Sequence, residues 1–203
     1  NYILYDNSFT VEGNENINSK VERSSNNNNS KYTKIYRTNA ALLHEAVSLA
    51  FKGVKVRCEV DIKSFINKLQ SVESVYLGKP AKHPEISIYK NWDQILVGGE
   101  DDTELARLIK IVEKGDTKKY IASLSRLTQS KKYDVLLTTA HKSKGKEWDV
   151  VEIANDFKLS PFMEENNNEA EINLFYVACT RAINTLYLPE EYYDEWSRNY
   201  RDV

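Results

Sequence analysis

Two short apolar runs, at residues 135–140 and 150–154, enclose a strongly polar loop, and this pattern constrains the fold more than any other stretch of the chain. The first run is almost continuously apolar, which is typical of a parallel strand that is buried on both faces. The loop between the runs carries His141, Lys142, Ser143, Lys144, Gly145, Lys146, Glu147 and Asp149. This is too much charge for a simple connection, so we predict a functional site there, with Ser143 capping a short helical turn.

A strand, a helix and a second strand are predicted upstream of this loop. Residues 32–37 alternate like a strand, and apolar residues then recur at helical spacing over 42–51. Either Thr38 or Asn39 can cap this helix. Residues 54–60 alternate as the second strand. A strand-helix-strand unit of this kind implies a parallel sheet.

The middle of the chain has a helical pattern instead. Apolar residues are spaced as in a helix over 62–76, 105–112 and 120–127, whereas residues 83–99 follow no regular period. Parallel α/β domains rarely contain three helices in succession without a strand. We therefore predict that residues 61–130 form a small helical insertion.

After the polar loop and its strand, the chain returns to alternating elements. An acidic loop is predicted at 158–168, a deeply packed helix at 169–183 and a last strand at 185–188, which Pro189 ends. The predicted fold class is therefore α/β, with a parallel sheet flanked by helices.

The main domain is expected to be discontinuous, formed by residues 1–60 and 131–203. Four consecutive asparagines lie within residues 22–31, which we predict to be a mobile loop because this composition buries too little apolar surface to become ordered. The chain starts at Asn1 and its one methionine is Met163, so we expect it to be part of a longer protein.

Composition limits the classes of function. A hydrophobic content of 41% with 29% charged residues is ordinary for a globular protein, and no apolar run reaches the roughly 20 residues that cross a bilayer. The formal net charge of −2 argues against a surface that is basic throughout, so nucleic acid would bind in a local groove. Cys58 and Cys179 lack metal-ligand spacing and are expected to be reduced and buried.

Three segments carry a resemblance to a known family. Residues 138–149 read Thr-Thr-Ala-His-Lys-Ser-Lys-Gly-Lys-Glu-Trp-Asp, residues 169–182 read Glu-Ala-Glu-Ile-Asn-Leu-Phe-Tyr-Val-Ala-Cys-Thr-Arg-Ala, and residues 35–40 read Ile-Tyr-Arg-Thr-Asn-Ala. The first resembles motif V of the UvrD/Rep-type superfamily-one DNA helicases, the second their motif VI, and the third the segment where their second motor domain begins to contact single-stranded DNA. The compact middle region is most similar to the F-box DNA helicases. This resemblance implies a RecA-like sheet.

The resemblance implies a role for three residues in binding ATP. Arg181 corresponds to the arginine finger that contacts the γ-phosphate, and a guanidinium suits this role because it is always charged and forks onto phosphate oxygens. Glu147 corresponds to the acceptor of the ribose hydroxyls, and Gly145 permits close approach of the backbone. Without the family, Arg181 in the last turn of a helix is typical of a residue that complements the helix dipole.

The resemblance also implies contacts with DNA by Arg37, Asn39, Thr139 and His141, with Lys142 adding positive charge. Alternatives remain open at two of these positions. Contact of Asn39 with DNA competes with its role as a helix cap, and contact of His141 with DNA competes with a role in capping the strand end. Trp148 is interpreted as a core residue in preference to a platform for stacking bases.

Departures from the family pattern shape the functional prediction. Lys146 stands where relatives have leucine, and no Gly-x-x-x-x-Gly-Lys-Ser/Thr phosphate loop occurs in the chain. The chain is therefore predicted to be the C-terminal motor domain of a 3′-to-5′ DNA helicase, inactive alone. ATP with Mg²⁺ would be held mainly by the N-terminal motor domain of the same native chain.

The expected partners are single-stranded DNA, ATP and that N-terminal domain, without a membrane. The expected location is the cytoplasm, with the nucleoid in a bacterium or the nucleus in a eukaryote. Two other classes stay open, a helicase-derived binding module without ATP chemistry and a purely structural domain. His141 and Glu147 lie six positions apart, which predicts that one segment couples DNA to the nucleotide.

Overall fold

A computed structural model describes residues 19–24, 31–125, 127, 132–157 and 168–200. The described strands are β1 (Lys20–Arg23), β2 (Tyr32–Tyr36), β3 (Val56–Cys58), β4 (Val135–Thr139), β5 (Trp148–Ile153) and β6 (Ala182–Leu188). The described helices are α1 (Asn39–Phe51), α2 (Ile62–Tyr76), α3 (Pro84–Ser87), α4 (Trp92–Asp101), α5 (Thr103–Glu113), α6 (Thr117–Ser125), α7 (Ala140–Ser143), α8 (Asn168–Cys179) and α9 (Glu190–Tyr200). Residues 25–30 of the predicted asparagine-rich loop and residues 158–167 of the predicted acidic loop lie outside the described residues.

The six strands form one sheet in the order β1-β6-β5-β2-β4-β3, and every strand pair is parallel. All five residues of β4 are buried, as expected for a strand with neighbours on both sides and helices on both faces. Tyr36 pairs with Thr139, so β2 and β4 end at the same level. The predicted α/β fold with a parallel sheet flanked by helices is confirmed.

Two hydrophobic clusters cover the two faces of the sheet. The larger one joins α1 and the helices α2 to α6 to β3 and β4, and the smaller one joins α8 and α9 to β5 and β6. Ile35 packs in the smaller cluster and Tyr36 in the larger, because successive side chains of a strand point to opposite faces. Since α2 to α6 share a core with the sheet, the division into a main domain and an insertion stays a prediction.

Helices α3 and α4 show that the irregular structure predicted for residues 83–99 is wrong. Pro84 occupies the start of α3, and the Asn91 side chain caps α4 by accepting a hydrogen bond from the Gln94 N–H at 3.0 Å. Ile86 and Ile95 are the buried residues of these two helices. Caps and backbone hydrogen bonds define such short helices, whereas an apolar stripe needs several turns to become visible.

Several boundaries also differ from the sequence predictions. The helix predicted over 169–183 ends at Cys179, because Ala182 already pairs with Trp148 at the start of β6. Trp148 packs against the smaller core cluster, as interpreted from the sequence. Ser143 does not cap α7 but ends it, and its hydroxyl donates to the Ala140 carbonyl at 2.7 Å.

Further differences concern the two ends of the described chain and its cysteines. Residues 22–23, predicted within the mobile loop, belong to β1, and residues 190–200 form α9. Cys58 is buried in β3, where burial raises the pKa of its thiol to about 12, and Cys179 is half-buried. None of the described helices has both the length and the apolar character required to cross a bilayer.

Candidate functional site

A groove of about 480 Å³ opens where β2 and β4 end. Its lining includes all five residues that were predicted to contact DNA, namely Arg37, Asn39, Thr139, His141 and Lys142. They meet because parallel strands that end at the same level place the residues that follow them at one edge of the sheet. The structure therefore brings this predicted set together.

Thr38, and not Asn39, caps helix α1. The Thr38 hydroxyl accepts a hydrogen bond from the Ala41 N–H at 3.2 Å. The Asn39 N–H donates to Glu104 Oε2 at 3.1 Å, while its buried side-chain oxygen has no hydrogen-bond partner within the described residues. Thr38 therefore takes the cap role that the sequence left open for Asn39.

Asp156 organises the rim of the groove, and it was not among the site residues predicted from the sequence. Its carboxylate accepts hydrogen bonds from the Arg37 N–H at 2.9 Å, the Thr38 N–H at 3.0 Å and the Thr38 hydroxyl at 3.0 Å. These bonds tie the segment after β5 to the junction of β2 and α1. An acid placed shortly after a buried strand was the available signal.

Glu171, in the first turn of α8, is a second residue that the sequence reasoning did not identify. Arg37 Nε lies 2.8 Å and 2.9 Å from the two oxygens of the Glu171 carboxylate, and Arg37 Nη2 lies 2.6 Å from Oε1. These hydrogen bonds raise the pKa of the Arg37 guanidinium above its ordinary value, against the opposing effect of partial burial. Both side chains are about one-quarter to one-third exposed.

Acidic residues of the middle helices line the groove beside its cations. Asp101, Asp102 and Glu104 contribute three negative charges, and Arg37, Lys68 and Lys142 contribute three positive charges, so the charges named here balance. Lys68 Nζ lies 3.0 Å from Glu104 Oε1 and 2.6 Å from Glu85 Oε2. A track for a polyanion was expected to be locally basic, and this groove is locally neutral.

His141 stands at the point where the groove meets α8. Its pKa is lowered from the ordinary value of 6.5, first by partial burial and then by the positive charges of Arg37 and Lys144, while Glu171 acts in the opposite direction. The ring is therefore mainly neutral at pH 7. A neutral imidazole still offers one N–H donor to a phosphate or a base.

Arg181 lies just beyond the end of α8, next to the loop before β5. Its guanidinium donates to the Val177 carbonyl at 2.9 Å, the Thr180 hydroxyl at 2.9 Å and the Lys146 carbonyl at 3.3 Å. Its own carbonyl accepts from the Trp148 N–H at 2.9 Å. These partners are all neutral oxygens, so the charge of the guanidinium is available to an anion.

Gly145 and Glu147 occupy the same loop as Lys146. Gly145 has a φ of +75°, a left-handed conformation that strains any residue with a Cβ, and apart from Gly145 and its two chain neighbours no described residue has an atom within 4 Å of the place where that Cβ would be. The Glu147 side chain is exposed. The three residues predicted to bind ATP are thus neighbours, joined by the contact of Arg181 with this loop.

The residues predicted to bind ATP and the residues predicted to contact DNA lie at opposite ends of the parallel strands. Glu147 and Arg181 come just before the paired starts of β5 and β6, whereas His141 follows the end of β4. With about 3.3 Å per strand residue, these ends are separated by roughly 15–20 Å. Residues 140–147 and α8 both run back across the sheet and connect these two places.

Lys146, the departure from the family pattern, is paired and does not enter the core. Its ammonium lies 2.8 Å from Glu59 Oε2, at the end of β3, and the buried Thr138 hydroxyl donates to the same oxygen at 2.9 Å. The Lys146–Glu59 ion pair thus holds the loop that carries Gly145 and Glu147 to the end of β3, beside the groove.

We expect an asymmetric loss of stability when this contact is removed. Lys146→Ala should lower the free energy of unfolding by about 0–1 kcal/mol, because the Lys146 side chain is 45% exposed and solvent screens the pair. Glu59→Ala should cost about 1–3 kcal/mol, since it leaves the buried Thr138 hydroxyl without its acceptor. Urea unfolding measures both, with exposed Lys63→Ala as the control, and equal losses would contradict the assignment.

Comparison with known proteins shows the family to which the chain is similar. The family model of the UvrD-like helicase C-terminal domain matches residues 4–191. F-box DNA helicase protein 1 of Schizosaccharomyces pombe is 30% identical over 182 residues, which cover 77% of this chain and 20% of that protein. F-box DNA helicase 1 of Gallus gallus is 30% identical over 187 residues, with 75% of this chain and 18% of that protein covered.

A bacterial relative shares a shorter segment. The RecBCD enzyme subunit RecB of Chlamydia muridarum is 40% identical over 87 residues, covering 42% of this chain and 8% of that protein. The chain spans about a fifth of the length of the F-box helicases that it matches. Because the family model covers most of the chain and its fold is the parallel α/β sheet described above, the chain belongs to the family of UvrD-like helicase C-terminal domains.

Proposed function

We propose that this chain is the C-terminal motor domain of an ATP-dependent, 3′-to-5′ translocating DNA helicase and is inactive without an N-terminal motor domain. The observation that carries the proposal is that Arg37, Asn39, Thr139, His141 and Lys142 line a single groove. The segment that supplies the last three of these residues continues directly to the loop against Arg181. Such a protein would act in the nucleus or the nucleoid.

On the nucleotide side, the chain contributes half of a site. Arg181 is the arginine finger in this proposal, Glu147 accepts hydrogen bonds from the ribose hydroxyls, and Gly145 lets the backbone approach. The neutral partners of Arg181 and the open space beside Gly145 fit that role. ATP bound with Mg²⁺ supplies the free energy that drives movement. Since the sequence has no phosphate loop, the other motor domain would hold the phosphates and the metal.

On the DNA side, the groove contributes part of a track for a single strand. Arg37 and Lys142 offer positive charge, while Asn39, Thr139 and His141 offer neutral hydrogen-bonding groups. Contacts of this type bind the sugar-phosphate backbone without reading its sequence. A motor that steps along DNA needs such contacts, because it must bind every sequence that it passes.

The two ends of the strands are connected by residues 140–147 and by α8. When the two motor domains close, Arg181 and Glu147 would move toward the other domain, and His141 would move with them because it lies on the same short connection. Alternating closure and opening then shifts the groove along the strand. In this proposal, closure of the two motor domains is transmitted along the length of the strands, from Arg181 and Glu147 to the groove.

The DNA track is tested by the affinity of binding and its salt dependence. In the full-length protein, His141→Ala should weaken binding to single-stranded DNA, whereas the slope of log affinity against log salt should stay nearly unchanged, because a neutral ring releases no counterion from the DNA. Fluorescence anisotropy with a labelled oligonucleotide gives both quantities. His44→Ala is the matched control because His44 is exposed on α1 and lies outside the groove lining. An unchanged affinity would remove His141 from the track.

A further inference from the structure

The bidentate pair of Arg37 and Glu171 uses the groups through which Arg37 would bind a phosphate. We propose that Glu171 occupies the place of a DNA phosphate on Arg37 in the DNA-free protein, so that DNA must displace Glu171 to enter the groove. This inference rests on the proposed function, because it assumes that the groove is the DNA track. It assigns to Glu171 the control of DNA affinity.

The geometry of the pair supports a competition. The guanidinium fork binds carboxylates and phosphates in the same planar, bidentate manner. Arg37 already gives both Nε and Nη2 to Glu171 at distances of 2.6 to 2.9 Å. A phosphate that bound the remaining nitrogen alone would lie next to the Glu171 carboxylate and be repelled by it.

The charge balance of the groove points in the same direction. The described groove carries as many carboxylates as cations, even before Glu171 is counted. Most of the affinity for single strands comes from positive charges that replace the counterions of the phosphates. An arginine that is already paired with a carboxylate contributes little to this exchange until the pair opens.

A second cavity beside the groove can accommodate the displaced Glu171 carboxylate. This cavity of about 200 Å³ lies between α7 and α8 and is lined in part by Arg37, His141, Lys144 and Glu171. A change in the Glu171 side chain can therefore bring its carboxylate toward the Lys144 ammonium without moving the packed core. The negative charge would then be balanced by a residue outside the main groove.

The position of Glu171 also connects this exchange to the other end of the strands. Glu171 lies in the first turn of α8, and Arg181 lies two residues beyond the end of the same helix. A shift of α8 that draws Glu171 away from Arg37 therefore moves the segment that carries Arg181. Opening of the Arg37–Glu171 ion pair would therefore link the entry of DNA to a movement of Arg181, where we propose that the nucleotide binds.

The test measures binding of single-stranded DNA to the full-length protein by anisotropy, without nucleotide and at several salt concentrations. Glu171→Gln keeps the shape of the side chain and removes its charge. We expect about 2- to 5-fold tighter binding, the range for one partly exposed ion pair, and a salt slope about 0.7 steeper. Glu169→Gln removes the same charge from the same turn at an exposed position and should change affinity less than about 2-fold.

Variants of Arg37 distinguish a failure of this inference from a failure of the proposed function. In an Arg37→Ala background, Glu171→Gln should no longer change affinity. If Arg37→Ala weakens binding while Glu171→Gln leaves binding unchanged or weaker, then Glu171 either orients Arg37 or has no part in binding. That result overturns the inference and leaves the proposed function intact. If Arg37→Ala itself leaves binding unaltered, the DNA track is misassigned and the inference fails with it.

Discussion

Arg181→Ala in the full-length protein should reduce DNA-stimulated ATP hydrolysis by about 10³- to 10⁵-fold, the range observed when an arginine finger is removed. The reason is electrostatic, since the guanidinium compensates the negative charge that develops on the transferred phosphoryl group. Its present partners are neutral oxygens of Val177, Thr180 and Lys146, so no carboxylate among the described residues has to be displaced first. Binding of ATP should remain nearly intact, because the phosphates would be held mainly by the other motor domain.

Steady-state hydrolysis and equilibrium binding of a fluorescent ATP analogue separate these two effects. Arg107→Ala is a suitable control because Arg107 is an exposed arginine on α5. Unchanged turnover of the Arg181 variant would remove this residue from the mechanism. Binding of DNA by the full-length protein without any ATP hydrolysis would instead favour a helicase-derived binding module.

Asp156→Ala should lower the free energy of unfolding by about 2–3 kcal/mol, the cost of leaving hydrogen-bond donors without their charged acceptor. The carboxylate accepts three hydrogen bonds from Arg37 and Thr38, and Thr38 in turn caps α1. The Thr38 residue is only 5% exposed, so water replaces the lost acceptor poorly. The loss should be concentrated at the start of α1.

Urea unfolding of the 203-residue chain gives the total loss, and hydrogen exchange of the amides of residues 37–42 reports where it occurs. Asn155→Ala is the control, because Asn155 is an exposed neighbour in the same turn. Equal stability of the two variants would show that Asp156 does not hold this junction together.

The parallel sheet could be predicted because its signals are local. A strand buried on both faces, such as β4, is recognisable from its apolar run, and helices of several turns show an apolar stripe. The residues of the groove could be proposed because they lie in segments that resemble motifs of a known family, and they meet because those segments follow strands that end at one level. The short helices α3 and α4 could not, since each of them buries a single residue.

The carboxylates of the site were missed for a different reason. Glu171 and Asp156 are 134 and 119 residues away from Arg37 in the sequence, and nothing local to any of them reveals the pairing. The partner of a charged side chain depends on how α8 and β5 lie against β2. The same long-range geometry places Arg181 before the start of β6 and His141 after the end of β4.

Among the residues that the structure describes, strand β1 is the outermost strand on one side of the sheet. It covers the hydrogen-bonding edge of β6, and Arg23 joins it to α9 through ion pairs with Glu190 and Asp194. The opposite edge, β3, is three residues long and carries the exposed Arg57. Short, charged edge strands prevent sheets of different molecules from joining. A shortened version of this protein that omitted residues 19–24 would uncover β6, whose seven residues would then offer a template for aggregation.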